Sequence, residues 1–178
     1  MQEGENSKDR CREEITATQN HRSRLPFLVD RIVAQYDKKG RLHHVGPEPI
    51  PSRRAIIDII RKTIPILFPG FFAEKRLDEI NHRYYLGEQV TELFDAIATQ
   101  IQHAIRHDCI RFNRPCVHCE DLSQEITLRF IENIPELQET LSKDVRAAFE
   151  GDPASRHFDE IIFCYPGLFA VAVYRVAH

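Results

Sequence analysis

The first 24 residues contain very few apolar side chains, and this scarcity argues against a secretory signal. Residues 1–24 are polar and charged, and they lack the apolar segment that a signal peptide requires. Such a segment also has too little apolar surface to offset the entropy lost on ordering. We therefore predict a disordered leader at residues 1–24 and a helical domain at residues 25–178.

The chain also lacks a long uninterrupted apolar run and an excess of charge of one sign. The longest apolar stretch, residues 161–177, is interrupted by Pro166-Gly167 and Arg175. It is shorter than the roughly 20 apolar residues that cross a bilayer. The formal net charge of −3 gives no general attraction to nucleic acid. These absences predict a cytoplasmic protein without membrane or nucleic-acid partners.

Cysteine is present in an odd number, five, and no secretory context accompanies it. Structural disulfides are therefore not expected. Cys164 lies within an apolar run, and we interpret it as a small core residue.

Helical periodicity dominates the remaining sequence, and no segment alternates apolar and polar residues as a half-buried strand does. We predict an all-α domain of about six to eight helices. The predicted helices cover residues 24–38, 52–67, 78–107, a segment from Asp121 or Ser123, residues 135–151, and two segments divided at Tyr165-Pro166-Gly167. The helix near residue 126 should bury Ile126, Leu128, Phe130 and Ile131. Gly87, in the long helix, is interpreted as a point of close approach for a second helix.

Three short segments near the C-terminus are Asp152-Pro153-Ala154, Tyr165-Pro166-Gly167-Leu168 and Tyr174-Arg175-Val176-Ala177-His178. Their order and spacing resemble those of serine acetyltransferases. Further upstream, residues 67–72 and 83–87 resemble the branch of that family with a longer helical N-terminal region. The resemblance covers about residues 50–178, and it ends where the left-handed parallel β-helix of the family would begin.

The resemblance implies transfer of an acetyl group from acetyl-CoA to the hydroxyl of L-serine, a step in cysteine biosynthesis. Asp152 corresponds to a carboxylate of the serine-binding pocket, and Pro153 lies beside it. The general base and the acetyl-CoA site belong to the β-helix in this family, and no hexapeptide repeat occurs here. We therefore expect no catalytic residue in this chain, which alone should be inactive. The family also implies a trimer or hexamer and contact with the downstream O-acetylserine sulfhydrylase.

Two simpler interpretations of these features remain open. Asp152 followed by Pro153 is also the pattern of a helix start, with an Asp N-cap and Pro at the first helical position. Asp144 is close enough in sequence to approach the same pocket, although such a residue is more often solvated. As a separate alternative, the whole chain is a stand-alone helical module for oligomerisation or regulation, without catalysis.

A loop rich in cysteine and histidine offers a second candidate site. Cys116 and Cys119 have the Cys-x2-Cys spacing of zinc ligands, and Cys109 lies upstream with His103 and His107. Three thiolates and one imidazole would complete a tetrahedral zinc site that stabilises the fold. The alternative is a cluster of reduced, partly exposed thiols in a polar loop.

Overall fold

The computed structural model describes residues 2–36, 44–73, 75–115 and 118–178, and these residues form eight helices and no strands. In chain order the helices are α1 (Gln2–Ser23), α2 (Leu25–Val33), α3 (Arg53–Leu67), α4 (His82–Arg111), α5 (Cys119–Glu132), α6 (Ile134–Gly151), α7 (Phe158–Cys164) and α8 (Pro166–Ala177). The predicted all-α class is confirmed, and the number of helices lies within the predicted range.

The chain divides into two compact units, Met1–Pro47 and Glu48–His178. The first unit contains α1 and α2. Residues 10–23 of α1 are exposed, and α2 buries none of its residues. Most of the stability of a helix in a protein comes from packing of an apolar face, and residues 10–23 of α1 show no such packing. The disorder predicted for residues 1–24 therefore stays a prediction. The last two residues of the helix predicted at 24–38 lie outside the described residues.

The second unit begins with a capped helix. Ser52 is the N-cap of α3, and its hydroxyl accepts the N–H of Ala55 at 3.4 Å, as the sequence predicts. Pro65 lies inside α3, which nevertheless continues to Leu67. The last two turns of α3 bury Ile64, Ile66 and Leu67 in the core.

Helices α4 and α5 pack together through small polar residues. Leu93 and Ile97 are buried on α4. On α5 the buried residues are Ser123 and Thr127, four positions apart, whereas Ile126 and Leu128 are exposed. The predicted buried face of α5 is therefore wrong at these two positions. The hydroxyls of Ser123 and Thr127 donate to carbonyls of their own helix, of Glu120 and Ser123 respectively, so their burial leaves no hydroxyl unpaired.

Gly87 does not have the predicted role. A Cβ atom placed on Gly87 would meet no other atom within 4 Å. Among the residues that the structure describes, no second helix therefore approaches α4 closely at Gly87. The glycine occupies an exposed helical position that a larger side chain would fit.

Helices α6, α7 and α8 close the core. Their fully or nearly fully buried side chains are Ile134, Leu141, Val145, Ile161, Leu168 and Ala172. The aromatic turn after α3 packs against α7, since Phe71 and Phe72 each make a ring contact with Phe163. Cys164 is exposed, so its interpretation as a core residue is wrong. It follows Phe163 on the outer side of α7, and Ile161 fills the core instead.

Within the described parts of the chain, no single helix is long and apolar enough to cross a membrane. Helices α7 and α8 pass that test only as a pair, and the pair is bent by 76°. Both helices contribute to the core described above.

Candidate functional site

Asp152 follows the last residue of α6 and forms a tight turn. Its φ and ψ angles are −118° and 102°, which take the chain out of the helix. The N–H of Ala154 donates to Oδ1 of Asp152 at 2.9 Å. Ser155 donates to the carbonyl oxygen of Asp152, from its N–H at 3.1 Å and from its hydroxyl at 2.7 Å. These hydrogen bonds, all formed within residues 152–155, fix both the backbone and the side chain of Asp152.

The turn is not the start of a helix. Helix α7 begins at Phe158, and its N-cap is His157 in an extended conformation. Asp152 is instead the C-cap of α6, and Pro153 lies in the turn after it. The helix-start interpretation of Asp152-Pro153 is therefore wrong, because Asp152 caps no helix at its N-terminus.

Tyr165 provides the second contact to the carboxylate. Its phenol donates a hydrogen bond to Oδ2 of Asp152, thirteen residues earlier. Tyr165 lies at the junction of α7 and α8, where it is the C-cap of one helix and the N-cap of the other. Both residues are half-buried. The hydrogen bond therefore joins the end of α6 to the start of α8.

These hydrogen bonds shift both protonation equilibria. The Tyr165 phenol, followed by the Ala154 N–H, lowers the pKa of Asp152 below its ordinary value. The same carboxylate raises the pKa of Tyr165 to about 12. At neutral pH the pair is thus an ionised carboxylate and a neutral phenol. Such a carboxylate is suited to bind an ammonium group through charge-assisted hydrogen bonds.

Asp144 has a different partner. Its two carboxylate oxygens accept hydrogen bonds from Nε and Nη2 of Arg175, at 2.5 and 2.8 Å, and these bonds link α6 to α8. This carboxylate raises the pKa of Arg175. A groove of about 490 Å³ lies beside Arg175, and Tyr174 and His178 also line it. Asp144 therefore links α6 to α8 through Arg175.

The loop between α4 and α5 gives zinc no support. No group of three or more His, Cys, Asp or Glu side chains that could hold a metal ion occurs among the described residues. Cys109 and Cys119 are partly buried at the two ends of this loop. Cys116, the third predicted ligand, lies outside the described residues.

The sequence does not predict Tyr165 as the partner of Asp152, although Tyr165 lies in one of the motifs quoted above. The sequence does contain an indication of this role: Tyr165 lies at the break between two predicted helices, just before Pro166-Gly167. At such a break a side chain is not restricted to the directions that a helix allows. Spacing alone does not reveal its partner, because the partner depends on how α7 folds back toward α6.

Fold and site together define a helical domain that presents an ionised, doubly anchored carboxylate. No family model matches the chain. Individual proteins do match, and several of them are serine acetyltransferases. The plasmid serine acetyltransferase of Synechococcus elongatus is 32% identical over 142 residues, which cover 76% of this chain and 44% of that protein.

Two shorter matches have a higher sequence identity. The serine acetyltransferase of Synechocystis is 49% identical over 39 residues, 22% of this chain and 16% of that protein. That of Mycobacterium tuberculosis is 57% identical over 35 residues, 20% of this chain and 15% of that protein. The chain is a homologue of serine acetyltransferases, which confirms the predicted resemblance. It spans less than half the length of these relatives.

Proposed function

We propose that this chain supplies the serine-binding carboxylate of a serine O-acetyltransferase. The observation that carries the proposal is the Asp152 carboxylate, which is ionised, half-exposed and held by two donors. Each of its oxygens accepts one protein hydrogen bond and has a further lone pair. The ammonium of L-serine fits that remaining capacity, and Pro153 would form an apolar wall beside it.

In the proposed reaction the hydroxyl of bound serine attacks the thioester carbonyl of acetyl-CoA. The new ester C–O bond forms as the thioester C–S bond breaks, and the hydroxyl proton ends on the sulfur of CoA. Asp152 orients the nucleophile, which converts a bimolecular encounter into a positioned one. The base and the acetyl-CoA site would come from the β-helix of the family, so this chain alone would be inactive. Its product would enter cysteine biosynthesis in the cytoplasm.

The exposed apolar side chains of the last two helices support a role in assembly. Phe163, Phe169, Val171 and Tyr174 are exposed although all are large and apolar. We call them the α7–α8 apolar surface. Side chains of this kind favour association with more protein. We propose that they contact the β-helix or a second subunit in a homo-oligomer, a trimer or hexamer, and that the downstream sulfhydrylase is a further partner.

A module without catalysis is the second candidate, and α2 favours it. This helix leaves Leu25, Phe27, Val29 and Ile32 exposed, as expected of a segment that binds another protein. On this proposal the chain would join oligomers of the full-length enzyme and leave Asp152 unused.

The deciding experiment measures acetyl-CoA consumption with L-serine. The chain is assayed alone and fused to the C-terminal part of the Synechococcus elongatus relative. We expect activity only in the fusion, and Asp152→Ala should lower kcat/KM for serine at least about tenfold, because an ammonium would lose its charged partner. Asp95→Ala, on an exposed position of α4, is the control and should leave it unchanged. Equal activity in the Asp152→Ala and Asp95→Ala fusions would contradict the proposal and favour the module.

A further inference from the structure

Tyr165 contacts the proposed serine site only through Asp152. Its phenol donates to Oδ2, and Ala154 donates to Oδ1 from the opposite end of the carboxylate. The two donors come from different parts of the chain, one from the turn after α6 and the other from the start of α8. A carboxylate with both oxygens anchored cannot rotate about its Cβ–Cγ bond without losing both hydrogen bonds.

The backbone of Tyr165 is itself fixed. Its N–H donates to the carbonyl of Ile161 at 3.3 Å, and its carbonyl accepts the N–H of Leu168 at 3.0 Å. Ile161 and Leu168 are core residues, and the Tyr165 side chain packs against the same core. The phenol is therefore held in place by the packed interior, so it can determine where the carboxylate points.

We propose that Tyr165 is a positioning residue for the amino-acid substrate: it orients Asp152 so that one free lone pair on each oxygen faces the substrate ammonium. This inference rests on the proposed function. The phenol takes no part in acetyl transfer, since its proton stays between its own oxygen and the carboxylate. Its removal should weaken the binding of serine and leave the binding of acetyl-CoA unchanged.

A simpler explanation is that the hydrogen bond only ties α6 to α8. That explanation predicts a lower Tm on loss of the hydroxyl, but no selective effect on serine. The positioning role predicts a selective rise in KM for serine, and it predicts that the effect disappears once Asp152 has lost its charge.

The test combines kinetics of the fusion with a double-mutant cycle. Tyr165→Phe keeps the ring and removes the hydroxyl, and Tyr84→Phe, on an exposed position of α4, is the matched control. We expect Tyr165→Phe to raise KM for L-serine about tenfold, the effect of losing one hydrogen bond to a charged group. KM for acetyl-CoA should not change. In an Asp152→Asn background the same substitution should change KM for serine by less than about twofold, because the two residues act as one unit.

A second measurement does not depend on catalysis. The carboxyl carbon of Asp152 is titrated by NMR in the chain itself, and the midpoint should rise in Tyr165→Phe and stay constant in Tyr84→Phe. If Tyr165→Phe does not fold, replacing Tyr165 by 3-fluorotyrosine keeps the ring and makes the phenol a stronger donor, so the midpoint should fall.

The outcomes separate the two proposals. An active fusion in which Tyr165→Phe leaves KM for serine unchanged would overturn the positioning role alone, as would an equal rise in KM with and without the Asp152 charge. An unmoved NMR midpoint in every Tyr165 variant would also overturn it. A wild-type fusion that does not acetylate serine would overturn the proposed function, and the positioning role with it.

Discussion

The Asp152–Tyr165 hydrogen bond makes two side chains depend on each other for their charge state. The carboxylate raises the pKa of the phenol, and the phenol lowers that of the carboxylate. This contact is the largest cause of both shifts, so Tyr165→Phe should remove the titrating phenol and bring the pKa of Asp152 closer to its ordinary value. The folded state thus gains stability from this pair only within a defined pH range.

We predict that the difference in free energy of unfolding between the wild type and Tyr165→Phe is lost at both acidic and alkaline pH. Because the folded pKa of Tyr165 is raised from 10.0 to about 12, its contribution is complete below pH 10 and is lost as the pH rises toward 12. Because the folded pKa of Asp152 is lowered from 3.8, its contribution is complete above that pH and is lost as the pH falls through the lowered pKa.

Urea unfolding at a series of pH values checks this prediction. The difference in free energy of unfolding between the two proteins should be constant near neutrality and shrink at both limits. A difference that is the same at pH 7 and pH 12 would show that the hydroxyl acts without the carboxylate.

At the scale of helices, apolar spacing predicted most elements correctly, and small polar residues account for the clearest failure. The helix predicted at residues 52–67 begins with a serine, a preferred N-cap residue, and Ser52 is the N-cap of α3. On α5 the buried positions are Ser123 and Thr127. Hydropathy assigns such residues to the surface, whereas here their small size permits helix packing and their hydroxyls bond within the helix. The partner of Tyr165 could not be predicted either, because it depends on the packing of three helices.

Gly87 gives a direct test of how α4 is built. We predict that Gly87→Ala stabilises the second unit by about 1 kcal/mol, because alanine has the higher helix propensity and its Cβ meets no neighbour. Gly70→Ala is the matched control: its Cβ also meets no neighbour, but the φ of +88° is unfavourable for a residue with a side chain. Thermal unfolding should therefore show opposite changes in Tm. A destabilising Gly87→Ala would mean that α4 is not helical at this position.

At the scale of the whole chain, the core and the apolar exposure are unevenly distributed. Among the described residues, every buried apolar side chain lies between Ile59 and Ala172, in the second unit. In the first unit the exposed large apolar side chains are concentrated on α2. In the second unit they are spread over several helices and turns, and they include the α7–α8 apolar surface. The second unit therefore has the interior of a folded domain and also a surface suited to association.

We predict that the chain self-associates at tens of micromolar through the α7–α8 apolar surface. Phe169 is 54% exposed, and Phe169→Lys should lower the average mass measured by light scattering. Ile80 is 80% exposed in the turn before α4, so Ile80→Lys is the control and should leave the mass unchanged. A monodisperse monomer in the wild type would contradict the prediction.

The contact between Tyr165 and Asp152 also constrains how the sequence can vary among relatives. Donor and acceptor are thirteen positions apart, and the intervening chain is a turn followed by the short helix α7. Adding or removing one residue within α7 would rotate Tyr165 by about 100° around the helix axis and withdraw its phenol from the carboxylate. An alignment of homologues should therefore show a fixed spacing between these two positions, and losses of the tyrosine hydroxyl should coincide with changes at the aspartate.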